Sequence, residues 1–456
     1  MAGAASARVT GKRPLLAALC LAVLLAQVDT SVVNLAVRAI GAGLGAGVAG
    51  LQWVLDAYNL AYALVLLTGG LLADLYGRRR IFLVGAAIFV GGSILCAAAP
   101  DLFVLVLARA GAGAGAALLL PASLAIIRVE WSDARARGRA LGIWAACNGL
   151  AFVIGPALGG LLVSGFGWRS VFLLAVPLGL AAIGLALRVV PESSDPAGRH
   201  FDALGQVSGG ATLGGLALAA IEAAHDRAVA AAALASAIAG FVLFLRAEGR
   251  RGATAMVPLD LFHHRAFVGA LAATAAMTFG MYGLLFLLPL VWQMGGMLGA
   301  GAAGIALVPM ASVFFGVSNL SGRLVERAGA RTMIAGGTAA IGLGLVVVAL
   351  TSSGRPLALA EAGLVLAGLG MGLNTAPLFG VVVASVPAAR SGSAASLVNV
   401  ARMTGATLGV AVLGAAFAGA GAGTPGLRIA LLAGGLVQLA GACAAWTMIG
   451  RAPAVQ

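Results

Sequence analysis

Asp29 is an acid set inside an apolar segment. It lies in Ala26–Ala36 (AQVDTSVVNLA), within the first long apolar run at about 15–37. An ionised carboxylate at the centre of a bilayer costs about 2.5–3.5 kcal/mol on insertion scales. Acids kept at such depth face a bundle interior or a watery cavity, and they often mark a proton or substrate path. At about 3.6 residues per turn, Asp29 shares a helix face with Ala18, Ala22, Ala26 and Ala36. That stripe of small residues suits close packing or an open cavity. The chemistry on offer is reversible protonation, coupled to the movement of something else across the membrane.

Arg109 is the second such group. It stands about two turns into the fourth apolar run, on a face with Leu102, Gly113 and Ala116. A guanidinium cannot shed its proton, so in apolar surroundings it needs a partner or water. A cation beside Asp29 would favour the carboxylate, and its withdrawal would favour the acid. The other reading of Arg109 is a cap on backbone carbonyls. Arg402, in the thirteenth run, shares a face with Asn399, Ala406 and Gly409, either as a structural group or as part of a pathway. Further polar residues within the runs are Gln27, Asn34, Asp56, Asn148, Glu222, Glu361 and Asn374. Asp56, in LQWVLDAYNLAY, reads equally as a second acid for protons or cationic drugs and as an interfacial residue. Glu222 and Glu361 lie near run ends, where a side chain can snorkel to water. Trp53, Trp144, Phe279, Tyr282, Phe286 and Trp292, with Met277, Met281 and Met294, offer an adaptable apolar binding surface. Taken singly, each aromatic reads as lipid-facing or core.

The elements that must position these groups are membrane helices. The chain of 456 residues is 61% hydrophobic and 9% charged, with a mean hydropathy of +1.05. Soluble domains carry about 25% charged residues. A water-soluble fold of this composition would expose too much apolar surface. About fourteen runs are long enough to span, at roughly 15–37, 50–72, 80–99, 102–127, 139–163, 169–190, 204–222, 229–245, 267–293, 301–322, 332–352, 358–380, 392–418 and 427–449. The formal net charge of +13 does not indicate nucleic acid, because the arginines sit in short gaps between runs, with no basic arm and no interleaved aromatics. Of 28 basic residues, about 21 fall at the termini and in even-numbered gaps, and about 5 in the odd-numbered ones. The positive-inside rule then places both termini in the cytoplasm. The basic N-terminus followed by an apolar run resembles a signal peptide, but the run continues past Asp29, so an uncleaved first helix is expected. Cys20, Cys96, Cys147 and Cys443 lie inside runs without metal spacing and read as small buried hydrophobes. His263-His264 reads as a solvated loop pair. No metal, cofactor or nucleotide motif is found, so an ATP-driven pump is not expected.

The sequence also repeats itself. Gly70-Leu71-Leu72-Ala73-Asp74-Leu75-Tyr76-Gly77-Arg78-Arg79 aligns with Gly322-Arg323-Leu324-Val325-Glu326-Arg327-Ala328-Gly329-Ala330-Arg331, an offset of 252. Two six-helix halves with two extra helices between them would produce this, as in transporters built from parallel repeats. The expected units are 1–190, a linker of 191–265 carrying the extra helices, and 266–456.

Several motifs resemble the major facilitator superfamily, and within it the fourteen-span drug:proton antiporters. Asp29-Thr30-Ser31-Val32-Val33-Asn34-Leu35-Ala36 resembles that family's first-helix motif. Gly70, Asp74, Gly77 and Arg78–Arg80 resemble the loop motif after helix two, with Leu75 at a usually basic position. Leu105, Arg109 and Gly113–Ala117 resemble the helix-four motif, with Ala112 for Gln. Gly155-Pro156-Ala157-Leu158-Gly159-Gly160 resembles the helix-five motif of antiporters, with Ala151 for Gly. Trp168-Arg169, Pro258-Leu259 and Asn399…Arg402…Gly405 match further landmarks. On residues alone, Asp74 could clamp a neighbouring Arg or a helix N-terminus, or the Arg run could serve topology only. The Gly155–Gly160 stretch could pivot, seal or simply pack tightly.

The resemblance implies an all-α polytopic protein of the bacterial cytoplasmic membrane, functional as a monomer. It would export small hydrophobic or cationic compounds in exchange for protons by alternating access. Asp29 and Arg109 would couple the proton. Asn34, Trp53, Asp56, Trp144, Asn148, Tyr282, Asn374, Asn399 and Arg402 would line the substrate pathway. Gly70, Asp74, Gly77, Arg78, Gly155, Pro156, Gly159 and Gly160 would form the gates. The rival readings are a proton-coupled symporter for a nutrient and, more remotely, a membrane-embedded sensor or enzyme.

Overall fold

The computed structural model describes residues 2–195, 202–223, 226–252, 257, 259–351, 357–386 and 391–450. Pro258, quoted above as a landmark, lies outside them, as do Arg199, Arg355, Arg390 and Arg451. The described chain is helical: α1 (Ala2–Leu44), α2 (Val48–Tyr76), α3 (Arg78–Ala98), α4 (Leu102–Glu130), α5 (Ala134–Phe166), α6 (Arg169–Leu173), α7 (Ala175–Val189), α8 (Ala203–Glu222), α9 (Arg227–Arg251), α10 (Arg265–Met294), α11 (Ala300–Ala306), α12 (Val308–Ala328), α13 (Ala330–Thr351), α14 (Ala358–Ala384), α15 (Ser391–Gly419) and α16 (Gly423–Met448). Thirteen stretches among the described residues are long and apolar enough to cross a membrane, and α2, bent by 50° between Val48–Leu66 and Thr68–Tyr76, makes a fourteenth. The fourteen-span, all-α expectation is met.

Local chemistry explains the helix ends and breaks. Asp101, Asp133, Asp202 and Asp226 each precede a helix and accept hydrogen bonds from its first free N–H groups, at 2.7–3.1 Å. Two expected spans are broken in two. The sixth breaks at Leu174, three residues before Pro177, and the tenth at Leu307, two before Pro309. Each proline lacks the N–H that would bond the carbonyl four residues back.

The two halves use the same packing scheme. α1 lies against α5 and α7, α4 against α2 and α3, and α3 against α7. In the second half α10 lies against α15 and α16, α14 against α12 and α13, and α13 against α16. The halves meet where α2 packs on α15, α5 on α11 and α12, and α1 on α10. The inserted helices α8 and α9 form a hairpin, and α8 rests on both α2 and α15. The duplicated turn is the same backbone twice: Gly77 between α2 and α3 has φ 105°, and Gly329 between α12 and α13 has φ 77°. Only glycine adopts such angles without strain, which is why the repeat keeps it. One cysteine departs from expectation. Cys20 and Cys96 are buried and Cys147 partly so, but Cys443 is exposed on α16, where apolar surroundings are outside the protein rather than within it.

Candidate functional site: a buried ion pair between helices

Asp29 on α1 and Arg109 on α4 form an ion pair at 2.5 Å, with both side chains 1% exposed. Arg109 does more than neutralise. Its Nε donates to the carbonyl of Val54 on α2 at 3.0 Å, and its guanidinium lies 4.5 Å from the Tyr58 ring centroid and 5.9 Å from that of Phe172. The two readings of Arg109, acid partner and carbonyl cap, are therefore both occupied at once. The alanine stripe around Asp29 is closely packed, since Ala18, Ala22, Ala26 and Ala36 are all buried. That packing lets the short carboxylate meet the long guanidinium. Asp29 Oδ1 has no hydrogen-bond partner among the described residues. One oxygen is thus engaged by the cation and one is left to accept a proton, water or a ligand group.

A void of about 10 Å³, room for about one water, adjoins the pair and is lined by Thr30, Asn34, Leu55, Asn59, Arg109 and Tyr282. The structure thereby brings Asn34 of the first half and Tyr282 of the second to the same place. Tyr58 and Asn59 were not singled out from the sequence, and Thr30 entered only as part of the first-helix motif. Asn59 carried a signal, as an amide in the same apolar run as Asp56, whereas Tyr58 carried none beyond being aromatic.

Other expected pathway residues scatter. Asp56 is fully buried on α2. Arg402 and Asn399 share a face of α15, with Arg402 Nη1 3.4 Å from Asn399 Oδ1. Trp144 on α5 donates to Ser123 Oγ on α4 at 3.1 Å, Asn148 is half-buried on α5, and Trp53 is half-buried on α2. Asn374 is fully buried between α14 and α13, 3.0 Å from Thr338 Oγ1, where it fastens two helices and stands apart from the void. The expected aromatic and methionine surface also contracts. Met277, Met281, Phe286 and Trp292 are core residues, and Met294 is exposed at the end of α10.

The gate motifs are built differently from one another. Asp74 Oδ1 accepts from Arg78 Nη2 at 2.7 Å and Nε at 3.0 Å. The start of the first linker is fastened alongside: Arg78 N donates to Ser193 O and Asp195 N to Asp74 O, each at 2.8 Å. Glu192 places both carboxylate oxygens on the N–H groups of Arg79 and Arg80, at 3.0 Å each, capping α3 with an anion. Glu192 was missed because its partners are more than a hundred residues away. Gly70 has ordinary room, since a Cβ added there would lie 3.7 Å from the Pro121 Cβ. The helix-five motif is thin on two sides. Gly155 and Gly159 lie against Ser31 and Val32 of α1, while Pro156 and Gly160 lie against Gly304 and Ala300 of α11. A side chain at Gly159 or Gly160 would meet backbone; the first face packs within the first half, and the Pro156–Gly160 face is an interface between halves.

The hydrogen bonds between halves share one end of the molecule. Arg38 Nη1 donates to Gln293 O at 2.5 Å, Gln293 Nε2 to Leu35 O at 3.3 Å, Gln52 Nε2 to Val410 O and Ala411 O at 2.9 and 2.7 Å, and Gly301 N to Ser164 Oγ at 2.9 Å. All lie on the arginine-poor side of Asp29.

Comparison with known proteins places this architecture. The sequence profile of the Major Facilitator Superfamily matches residues 19–410. The chain is 36% identical over 393 residues to the multidrug resistance protein Stp of Mycobacterium tuberculosis, covering 86% of this chain and 73% of that protein. It is 35% identical over 408 residues to the multidrug efflux pump LfrA of Mycolicibacterium smegmatis, covering 88% and 80%. It is 32% identical over 401 residues to the methylenomycin A resistance protein of Bacillus subtilis, covering 87% and 85%. Among solved structures, a bacterial homologue of the human lysosomal transporter Spinster superposes with a TM-score of 0.66 at 20% identity, covering 95% of this chain and 96% of that one. The chain belongs to the major facilitator superfamily of membrane transporters.

Proposed function

We propose that this protein is a proton-coupled exporter of small hydrophobic or cationic compounds, working by alternating access. The observation that carries the reading is the buried Asp29–Arg109 pair, a carboxylate with one engaged and one unpartnered oxygen, whose arginine lines a small polar void. Its relatives are multidrug efflux and antibiotic-resistance proteins. A proton on Asp29 releases Arg109, and a cationic substrate near the open oxygen favours the ionised acid and expels that proton. By linkage each weakens the other's binding by the same factor. Bundles 1–190 and 266–456 are the moving units, joined by 191–265.

The arginine asymmetry supports cytoplasmic termini in a bacterial inner membrane. The inter-half hydrogen bonds then close the external side, a cytoplasm-facing arrangement. Asp74–Arg78 steadies the cytoplasmic end of the first bundle, and the Gly155–Gly160 face makes part of the external seal. The protein acts as a monomer within the lipid bilayer.

The test is proton movement. In de-energised vesicles of known orientation, adding a transported dye should release protons from wild-type protein. Uptake of protons together with the dye would indicate symport and overturn the antiport reading. A single cysteine at the exposed Ser194, in a cysteine-free background, should label from the cytoplasm. Labelling from outside would overturn the orientation.

A further inference from the structure

Asp56 is the acid that the ion pair leaves unused. It is 0% exposed, and neither carboxylate oxygen makes a hydrogen bond of good geometry, the Asn59 amide one turn along α2 being the side-chain donor that acts on it. Its neighbours across the seam share that condition. Gln52, one turn away on α2, spends its amide N–H groups on the carbonyls of Val410 and Ala411 of α15, and its own Oε1 meets no donor. Thr407 is four residues before Ala411 on α15, is 2% exposed, and has an unpartnered Oγ1. In a seam of antiparallel helices, the step of four from Gln52 to Asp56 matches the step of four from Ala411 back to Thr407. Three buried oxygen-bearing side chains thus share one stretch where the two halves meet. The donors within it are few and neutral, the Thr407 hydroxyl and the Asn59 amide, and no cation is matched to the acid.

We propose that Asp56 is a second proton site, carried at the α2–α15 seam, and that its proton latches the seam shut. The proposal rests on the alternating-access reading above. A fully buried carboxylate with no cation beside it is costly to keep charged, even with a neutral donor in reach. As the neutral acid it adds a second O–H donor to the seam, where the unpartnered Gln52 Oε1 and Thr407 Oγ1 offer acceptors.

The charged and titratable groups on the elements around α2 do not supply a free partner at this level. Arg109 of α4 reaches α2 at the Val54 carbonyl but is matched by Asp29 of α1. Arg402 of α15 lies on the arginine-rich side of Thr407, against Asn399. α8 brings Glu222 at its arginine-poor end, α3 brings Cys96, and α2 itself carries Tyr58 and Tyr62. When the seam parts, water reaches Asp56 and stabilises its ionised form. Uptake of a proton from the external side neutralises it, and the seam can close. External acid then drives the return of the empty carrier to its cytoplasm-facing state.

The experiment measures conformation without substrate. Spin labels on Gly47→Cys and Gly419→Cys, exposed positions at the ends of α2 and α15, report the seam in lipid nanodiscs after the four natural cysteines are replaced by Ala. In the wild-type background the ratio of open to closed seam should rise with pH, by up to about tenfold per unit for one titrating group. Asp56→Asn should hold the seam closed at every pH, and Glu326→Gln, at an exposed acid far from the seam's buried groups, should keep the wild-type response of this distance. If Asp56→Asn fails to reach the membrane, Asp56→Glu should move the midpoint of the response. An unchanged response in Asp56→Asn, an unchanged midpoint in Asp56→Glu, or a seam that follows sodium at fixed pH overturns the proposal. A pH-insensitive seam in a protein that still exchanges drug for protons overturns the latch alone. A responsive seam without drug-driven proton movement overturns the export reading alone.

Discussion

The two halves share a packing scheme and differ in how they use charge. In the first half, Asp29–Arg109 joins α1 to α4, and Asp74–Arg78 closes the turn between α2 and α3. In the second half the equivalent turn keeps its glycine, but Glu326 is exposed, and Ala330 stands where the repeat offset would put an arginine. Arg331 stacks 4.1 Å over the Trp446 ring instead. Among the described residues the second half's buried polar fasteners are neutral: the Asn374–Thr338 contact between α14 and α13, and Gln438 Nε2 of α16 donating to the carbonyls of Ala276 and Met277 on α10. The lesson is that glycine makes the turn and packing makes the bundle, while the ion pairs are additions to one copy. If so, charge-removing substitutions should hurt the first half much more than the second.

The largest effect is expected at Asp29. Asp29→Asn should reach the membrane, lose proton-driven export, and bind drug with an affinity that no longer varies with pH. It also leaves Arg109 buried without its counter-charge, a defect that costs about 3–5 kcal/mol when one partner of a buried pair is removed. Adding Arg109→Gln to Asp29→Asn should therefore recover much of the lost melting temperature without restoring export. If Asp29→Asn still concentrates substrate at the wild-type rate, the first-half pair is structural and the comparison loses its functional side.

The next effect is at the first turn. Asp74→Asn weakens a two-pronged bond to Arg78, in which charged hydrogen bonds contribute about 1.5–3 kcal/mol. Transport should slow several-fold and the inward/outward balance should shift, with expression maintained. Wild-type transport in Asp74→Asn would reduce the Arg78–Arg80 run to a topology signal. Glu192→Ala removes an anionic cap, worth about 0.5–2 kcal/mol. It should lower the melting temperature and slow transport less than Asp74→Asn does. An effect larger than that of Asp74→Asn would mean that the linker strap, not the ion pair, holds the turn.

How far the sequence carried these features depends on the range of the interaction. Span count was legible because each run had to be apolar over its full length, and the halves were legible because the turn glycine and its neighbours recur at one offset. Pro177 and Pro309 marked the two broken spans, although the sequence reading left them whole. Asp29 and Arg109 stood out singly as charges in apolar runs, but their 2.5 Å contact joins residues 80 positions apart and needed the fold. The Asn374 contact was out of reach for the same reason: a buried amide can line a cavity or fasten a neighbour, and its partner Thr338 sits on another helix. Glu192 looked like an ordinary linker acid until the fold set it on the first N–H groups of α3.

The smallest effect is expected at Glu326, and it is the sharpest check on the comparison. By register Glu326 is the counterpart of Asp74. Its side chain is exposed, and the residue four positions on is Ala330, so the i,i+4 bond of the first copy cannot form. The turn is held without it: Gly329 adopts φ 77°, its N–H bonds the Val325 carbonyl at 2.9 Å, and its carbonyl receives Met333 N–H at 3.2 Å. Glu326→Gln therefore changes a solvated charge and little else, and export should stay within about twofold of wild type. Ala330→Arg restores the missing cation beside Glu326. If partnered charge is what steadies a turn, this variant should shift the inward/outward balance in proteoliposomes while Glu326→Gln does not. Should Glu326→Gln instead slow export as much as Asp74→Asn, the acid acts in both copies whatever its partner, and the asymmetry between the halves is not one of ion pairing.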